Sequence, residues 1–471
     1  MNPDRRLTIE ERFPLLTEEG RKMLHWMWEH PSAPRYTHEC GDRLNSEGLQ
    51  RIRAYEKELF AAQKGWREGE TPMWLADFVE WCLKDVPFYR RQEGRKDDFT
   101  SIPTFAREDL ARQPWSFVPD SQPLDDLILY DTTGTTGHPV KILSHPEVSS
   151  KYLPALRAAL VTRNVTLDGG SGRVSIITVC AQNSTFTYAM VSSFLDQAGY
   201  IKVNLNPHEW RDPDDRVKFL DDCNPEIYTG DPISFLALAR LPLKARPKAI
   251  VSTAMTLLAG WQQELEKRFG CPVIDIYSMN ECRTIAVRTD RGYEILPHDL
   301  YVEIIDQEGK PCAPGVRGEI ALTGGRNPFL PLLRYRTGDF ASMDFRDNVP
   351  VLIDIEGRRP VVFVATDGRL VNNIDVTYIL RPFAIAQYSL HQFADRSLLL
   401  RLRGGDIDEE KVRSVLLKIF GADQRLAIEE MTDAHTRSGK VIPYTTDIAD
   451  ASIIDGELKY QRLTYHEIMN P

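Results

Sequence analysis

The sequence predicts an α/β protein: a large N-terminal α/β domain with a small β subdomain, followed by a smaller α+β domain. From residue 127 onward, short runs of β-branched residues alternate with runs that have helical spacing. This alternation is typical of βαβ units, which build a sheet covered on both faces. After Tyr301 brief strands are separated by Gly and Pro turns, and after about residue 360 a strand, helix and strand pattern follows.

Composition limits the classes of protein that need to be considered. The chain has 471 residues and 42% hydrophobic composition, and since single domains usually have roughly 100 to 200 residues, we expect two or three units. The net charge of -10 gives no general electrostatic footprint for nucleic acid. The first residues are charged, and no stretch approaches the roughly 18 uninterrupted apolar residues of a membrane span. We therefore expect a cytosolic protein with neither nucleic acid nor membrane as partner.

The individual elements follow from periodicity. The N-terminal segment is predicted to be helical because Leu49, Ile52, Tyr55 and Leu59 recur at helical spacing. The strands predicted for the sheet are RVSIITVC at 173, YIKVNLN at 200, EIYTG at 226, KAIVST at 248 and VIDIYS at 273, with a helix MTLLAGWQQELEKRF from Met255. The later predicted elements are the strands YVEII, GEIALTG, VPVLIDI, SLLLRLRG and RLAIEEM, and the helix DEEKVRSVLLKIFG.

The seven cysteines lie far apart and none forms a C-x-x-C pair. Reduced thiols are therefore predicted. Cys282 and Cys312, with His298 between them, are candidate metal ligands, although the tight ligand pairs of a structural zinc site are missing. The sequence leaves open whether these three residues bind a metal.

An unusual loop lies within LILYDTTGTTGHPVKIL at 127 to 143, with four threonines and two glycines in six residues. Val140 to Leu143 is predicted as a strand, and Ser144 with Pro146 as the cap and first turn of a helix, so the loop joins two strands. Glycines let backbone N–H groups converge on an anion, and threonine hydroxyls add donors. The loop is typical of a cover over phosphates, and a polar hairpin turn is the alternative.

Three further motifs place polar residues at turns. YSMNE follows a strand, so Tyr277 and Glu281 are predicted at the carboxyl end of a parallel strand, where α/β sheets bind ligands. RYRTGD ends in Asp339, whose carboxylate suits the two hydroxyls of a ribose. HTRSGKV presents Lys440 after a glycine turn. Each motif taken alone is more typical of an ordinary feature: a turn at a strand end, a hairpin turn with a surface salt bridge, and a solvated basic loop.

Taken in order, TTGTTGHP, STA at 252 to 254, YSMNE, YRTGD, EGR and RSGK resemble the adenylate-forming superfamily, nearest to its phenylacetate-CoA ligase branch. VPFYRR at 86 and IPTFAREDLARQPWSF at 102 resemble the N-terminal segment of that branch. The resemblance implies activation of a carboxylic acid by ATP as acyl-AMP, with release of pyrophosphate and transfer to a thiol. It also implies an N-terminal domain at 1–357 and a mobile C-terminal lid domain at 358–471.

The resemblance assigns roles to the matching residues. Lys440 would meet the carboxylate and α-phosphate oxygens, Glu281 would help hold Mg²⁺, and His138 would act from the phosphate loop. The residues implied in ATP and AMP binding are Thr132, Thr133, Gly134, Thr135, Thr136, Gly137, Ser252, Thr253, Ala254, Tyr277, Ser278, Met279, Asn280, Asp339 and Arg358. Phe186 and Tyr188 of CAQNSTFTYAM are candidates for the acyl pocket, although plain core is their alternative role.

The sequence departs from the family at three places. His138 replaces the usual lysine of the branch, Pro360 stands at the hinge position, and about thirty residues follow Lys440. Lys141 compensates for the missing lysine only if it faces the loop. Coenzyme A is the expected acceptor and an aromatic acid the expected substrate. A carrier-protein thiol, an amine, a nucleotide sensor without turnover, and a homodimer remain open.

Overall fold

The computed structural model describes residues 7–62, 65–91, 98–132, 140–182, 185–296, 299–357, 361–435 and 441–448. The α-helices are α1 (Ile9–Arg12), α2 (Glu18–Glu29), α3 (Ser46–Ala61), α4 (Leu75–Asp85), α5 (Pro87–Arg90), α6 (Arg107–Arg112), α7 (Pro146–Ser150), α8 (Tyr152–Val161), α9 (Asp215–Cys223), α10 (Pro232–Ala239), α11 (Ala259–Phe269), α12 (Asn373–Leu380) and α13 (Glu409–Phe420). Short 3₁₀ helices lie at Phe99–Ser101, Pro114–Phe117, Pro207–Glu209 and Asp433–His435. No α-helix in these ranges is long and apolar enough to cross a membrane.

The described residues also form β-strands. They are β1 (Ile128–Thr132), β2 (Val140–Ser144), β3 (Val174–Cys180), β4 (Tyr188–Ser192), β5 (Ala198–Asn204), β6 (Ile227–Gly230), β7 (Ala249–Ser252), β8 (Val273–Met279), β9 (Arg283–Thr289), β10 (Gly292–Ile295), β11 (Tyr301–Ile305), β12 (Arg317–Gly324), β13 (Leu332–Arg346), β14 (Val349–Gly357), β15 (Val362–Val364), β16 (Leu370–Asn372), β17 (Ile385–Gln392), β18 (Leu398–Gly404), β19 (Leu426–Glu430) and β20 (Tyr444–Thr446).

A 12-stranded sheet organises the first 357 residues, in the order β11-β12-β13-β14-β10-β9-β8-β7-β6-β3-β5-β4. Strands β5, β3, β6, β7 and β8 are parallel, and helices α9, α10 and α11 connect β5, β6, β7 and β8 in turn. The predicted α/β class is therefore confirmed. The helix predicted from Met255 begins four residues later, at Ala259, so that prediction was wrong at its start.

The parallel strands are buried on both faces. Successive residues of β3, Ile176 and Ile177, belong to different hydrophobic clusters because side chains of a strand alternate between faces. One cluster includes Phe235 of α10 and Trp261 of α11, and the other includes Leu156 of α8. This two-sided burial explains why these strands read as continuous apolar runs rather than as alternating ones.

The strands predicted for a β subdomain continue the same sheet, because β9 pairs antiparallel with β8 and leads into β10 and β14. A buried arginine fixes the N-terminal segment against them. The Arg334 guanidinium forms two hydrogen bonds with Glu303, at 3.2 and 3.0 Å, and also donates to the carbonyl oxygens of Thr100 and Ile102. Arg334 of the RYRTGD motif therefore has a structural role.

The residues after 360 form a four-stranded sheet in the order β19-β18-β17-β20, packed with α12 and α13 around a separate hydrophobic cluster. The predicted strand, helix and strand of this segment are confirmed. Its backbone approaches α11 closely, since the Gly260 N–H donates to the Arg381 carbonyl at 2.5 Å. A Cβ at Gly260 would lie 2.2 Å from the Pro382 carbonyl oxygen, so only glycine fits here.

A buried polar network joins β14 to these C-terminal elements. Glu356 accepts hydrogen bonds from Asn373 and, at 2.8 Å, from the Thr377 hydroxyl. The Thr377 hydroxyl also lies 2.6 Å from the Tyr444 hydroxyl. Because burial raises the pKa of Glu356 and Arg317 opposes that rise, the carboxyl depends on these partners. A rotation of the C-terminal elements relative to β14 would have to break these hydrogen bonds.

Candidate functional site

A cleft of about 1520 Å³ opens at the carboxyl end of β6, β7 and β8. The C-terminal elements contribute Ala386, Gln387 and Tyr388 to it, together with Val441 and Pro443. The residues predicted from the sequence that line the cleft are Thr253, Ala254, Tyr277, Ser278, Met279, Asn280, Glu281, Asp339, Phe186 and Tyr188. Motifs that lie far apart in the chain therefore lie together in one cleft at the carboxyl edge of the parallel strands.

Tyr277 and Asp339 form the centre of the cleft. The Tyr277 hydroxyl donates to Asp339 Oδ2 at 2.7 Å, although 62 residues separate them. Gly338 precedes the aspartate with a φ of +78°, a conformation that favours glycine, and its N–H donates to Glu319 at 3.0 Å. The Asp339 N–H donates to the Thr337 hydroxyl at 3.1 Å. The carboxylate is therefore held on a fixed turn and remains partly exposed to the cleft.

Glu281 lies deeper, with 2% of its surface exposed. Arg107 Nη1, at 3.2 Å, and the Tyr335 hydroxyl, at 3.1 Å, both donate to Oε1 of Glu281. Arg107 reaches this position because Phe105 pairs with β13 beside Tyr335, which places the start of α6 over the cleft. The sequence did not identify Arg107 as a site residue.

These contacts are compatible with Mg²⁺ at Glu281. Because both hydrogen bonds from the described residues use Oε1, Oε2 can serve as a ligand. Mg²⁺ in nucleotide sites is usually held by one or two carboxylates together with substrate phosphates and water. The described ranges contain no group of three or more His, Cys, Asp or Glu that could hold a metal by itself.

A site at the cysteines has less support. Cys282 is 2% exposed in an apolar cluster, and Cys312 packs against that same cluster. All seven cysteines are free, as predicted. His298, the third residue considered, lies outside the described residues.

Among the described residues that were predicted for the site, Ser252 does not line the cleft. Ser252 is fully buried at the end of β7, and only Thr253 and Ala254 of that motif reach the cleft. Thr132 is the last residue of β1. The predicted residues outside the described ranges are Thr133, Gly134, Thr135, Thr136, Gly137, His138, Arg358, Pro360 and Lys440. Val441, the residue after Lys440, does line the cleft.

The flanks of the threonine loop have the predicted arrangement. β1 and β2 pair antiparallel with Thr132 opposite Val140, so the loop joins two strands. The following helix begins at Pro146, but its cap is His145, whose Nδ1 accepts from the Glu147 N–H at 3.3 Å. The predicted cap at Ser144 was wrong because Ser144 still belongs to β2. Lys141 is exposed on β2.

Asp275 is a second carboxyl of the cleft that the motifs did not reveal. It precedes Tyr277 by two residues on β8 and is 3% exposed. Burial raises its pKa from 3.8 to about 6, opposed by the Tyr293 hydroxyl at 2.5 Å and by Arg288. An acidic residue within the apolar run VIDI was the available signal, since a buried charge requires such partners.

Asp275→Asn is expected to make folding stability less dependent on pH. Below pH about 4 the carboxyl is protonated in both the folded and the unfolded chain, and as pH rises toward 6 the unfolded chain loses its proton first. The folding stability of the wild type therefore decreases by on the order of 2 to 3 kcal/mol between low pH and pH 7. Denaturant titrations at pH 4 and pH 7 should show a smaller loss of stability in Asp275→Asn than in the wild type. Asp290→Asn, which changes an exposed aspartate, is the control and should behave like the wild type. Equal losses in all three proteins would contradict the assignment.

The chain is similar in sequence to curated phenylacetate-coenzyme A ligases. No family model matches the chain. The phenylacetate-coenzyme A ligase of Escherichia coli (strain K12) is 25% identical over 299 residues, 56% of this chain and 65% of that protein. The phenylacetate-coenzyme A ligase of Aromatoleum evansii is 23% identical over 289 residues, 56% of this chain and 64% of that protein. The chain thus matches about 65% of the length of its curated relatives.

A solved structure extends the likeness across most of the chain. The 2-hydroxyisobutyryl-CoA ligase in its postadenylation state, in complex with 2-HIB-AMP, aligns with a TM-score of 0.57 at 16% identity. The alignment covers 84% of this chain and 90% of that one. At this identity the likeness concerns the fold, and the curated relatives supply the sequence relationship. Together with the ordered motifs, the curated relatives support a relationship to the phenylacetate-CoA ligase-like branch of the adenylate-forming superfamily, and the solved structure shows that the chain has the fold of such a ligase.

Proposed function

We propose that this protein activates a carboxylic acid with ATP and Mg²⁺ as acyl-AMP and then transfers the acyl group to the thiol of coenzyme A. The observation that carries the proposal is the Tyr277–Asp339 pair at the carboxyl end of a parallel strand. It lies in a cleft of about 1520 Å³, more than the roughly 300 to 1,000 Å³ of a drug-sized pocket. Such a cleft has room for a nucleotide and an acid together.

The chemistry consists of two displacements. A carboxylate oxygen of the acid attacks the α-phosphorus of ATP, and the bond to the β-phosphate oxygen breaks, so that pyrophosphate leaves. The thiolate then attacks the acyl carbon, and AMP leaves with the electron pair of the broken C–O bond. Because the first step brings anions together, cationic stabilisation is its main requirement. Lys440 is the cation proposed for this role.

The other residues bind and orient. Asp339 accepts hydrogen bonds from the ribose hydroxyls, and the Tyr277 ring packs against the adenine beside Thr253 and Ala254. Glu281 would hold Mg²⁺, which would neutralise phosphate charge. Arg107 and the Tyr335 hydroxyl keep that carboxylate in position.

Asp339→Ala is expected to weaken ATP and AMP binding about tenfold or more, because hydrogen bonds to a charged group contribute about 1.5 to 3 kcal/mol each. Isothermal calorimetry with each nucleotide measures the change. Asp344→Ala is a matched control, since Asp344 lies on the same strand but pairs locally with Arg346 outside the cleft. Equal nucleotide affinity in Asp339→Ala and the control would refute the ribose assignment.

The acceptor and the acid require separate assays. The two phenylacetate-coenzyme A ligases that this chain resembles suggest coenzyme A and an aromatic acid. A carrier-protein thiol or an amine would consume the same adenylate. Presynthesised acyl-AMP, offered with coenzyme A, a phosphopantetheinylated carrier or an amine, identifies the acceptor by the product formed.

A further inference from the structure

The cleft has a polar inner wall beside the nucleotide residues. Its members come from β1, α7, α8, β3, β4, β5 and β6, and all are residues with a hydroxyl group. They are Tyr130, Ser149, Tyr152, Thr178, Tyr188, Tyr200 and Thr229. Apolar residues such as Leu129, Leu153, Phe186 and Met190 line the cleft as well, but a pocket for a purely hydrocarbon acyl group would not need such a group of hydroxyls.

Arg283 supplies a cation to this wall. It follows the turn after β8 with a φ of +65°, and its guanidinium carbon lies 5.0 Å from the centroid of the Tyr130 ring. Its Nη2 donates to the Ser149 hydroxyl at 3.4 Å. Its Nε is buried and has no hydrogen-bond partner among the described residues.

The carboxylates of the cleft do not neutralise Arg283. Glu281 is paired with Arg107, and Asp275 with Tyr293 and Arg288. Within the described ranges no ion pair joins Arg283 to a carboxylate. Because a charge removed from water requires a partner, this guanidinium is suited to an anionic or accepting group of a ligand.

The hydroxyls are linked to one another rather than to carboxylates. Thr178 and Thr229 hydroxyls are 2.7 Å apart, as are those of Tyr130 and Ser149, and Thr178 also donates to Tyr200 at 3.4 Å. A bound hydrocarbon would exclude water from the donor and acceptor positions that these mutual bonds leave open, without replacing the hydrogen bonds of that water. An oxygen substituent would replace them.

We propose that the acid activated by this protein carries a second oxygen function, a carboxylate or a hydroxyl, on its acyl group, and that Arg283 selects it. This inference rests on the proposed function and names its substrate class. It separates the substrate from the unsubstituted aryl acids, because a site built for a polar group discriminates strongly against analogues that lack it. The phosphates of ATP are the competing partner for Arg283.

The test uses three acids with one skeleton: phenylacetate, 4-hydroxyphenylacetate and 4-carboxyphenylacetate. Pyrophosphate release gives kcat/KM for each, and we expect the wild type to prefer an oxygen-substituted acid by about 100-fold or more. Arg283→Met should reduce that preference at least about tenfold while the KM for ATP changes by less than about threefold. Arg53→Met is the control, since Arg53 pairs with Asp196 outside the cleft.

Two results would overturn the proposal. One is a wild-type preference for phenylacetate. The other is an Arg283→Met protein with an unchanged acid preference and a raised KM for ATP, which would assign Arg283 to the phosphates. If no acid releases pyrophosphate, the proposed function fails separately. Calorimetric titration of the same acids into the AMP-saturated protein then still decides the preference.

Discussion

Lys440→Ala is expected to lower acid-dependent pyrophosphate release by about 10² to 10³-fold, the usual loss when one preorganised electrostatic contact is removed. An ammonium between the acid carboxylate and the α-phosphate acts mainly in the transition state, so turnover should fall more than binding. The adjacent Val441 lines the cleft, which supports this role. Thioester formation from presynthesised acyl-AMP should be retained.

Lys459→Ala is the matched control, because Lys459 is the rival lysine in the C-terminal sequence GELKYQR. Both variants are assayed for pyrophosphate release and, separately, for transfer from presynthesised acyl-AMP. If Lys459→Ala loses the first activity and keeps the second while Lys440→Ala is normal, the RSGK motif has been assigned wrongly.

Glu281→Gln is expected to lower adenylation by about 10² to 10³-fold and to raise the Mg²⁺ concentration needed for half-maximal rate. The amide removes the negative charge, yet its oxygen can still accept from Tyr335, so the fold should be retained. The stabilisation of the protein against heat by ATP with Mg²⁺, relative to ATP alone, gives a readout that does not depend on turnover.

Arg107→Met, compared with Glu281→Gln, distinguishes a magnesium-binding role of Glu281 from a structural one. It leaves Glu281 buried without its cationic partner, and breaking a buried pair in this way commonly costs about 3 to 5 kcal/mol of stability. We expect Arg107→Met to lose stability without ligand, whereas Glu281→Gln loses mainly the response to Mg²⁺. If Glu281→Gln responds to Mg²⁺ like the wild type, Glu281 is not the magnesium ligand.

Local sequence signals predicted most of the sheet. Runs such as VSIITVC and AIVS are rich in β-branched residues and are buried on both faces, so their pattern identifies strands directly. The start of α11 was missed because Met255, Leu257 and Leu258 are apolar but lie in the irregular segment before the helix. Such a segment has the composition of a helix without its geometry.

Within the site, the contacts between residues far apart in the chain could not be predicted from the sequence. The motifs assigned Tyr277 and Asp339 to one functional site, but their strands, β8 and β13, are separated by β9, β10 and β14 in the sheet, so the hydrogen bond between them could not be predicted from the sequence. Arg107 lies 174 residues before Glu281, and although the segment IPTFAREDLARQPWSF resembles the branch, its sequence does not distinguish Arg107 from the exposed Arg112 of the same helix. Arg283 follows Glu281 by two residues, yet only the fold places it beside Tyr130.

The central claim is that the cleft forms an acyl-adenylate, and isotope exchange between ATP and labelled pyrophosphate tests it most directly. Exchange requires reversible adenylation and does not depend on which acceptor follows. With a panel of carboxylic acids, we predict acid-dependent exchange in the wild type, strongly reduced in both Lys440→Ala and Asp339→Ala. ATP binding without exchange, for every acid in a panel that includes oxygen-substituted aromatic acids, would contradict the account and favour a nucleotide sensor.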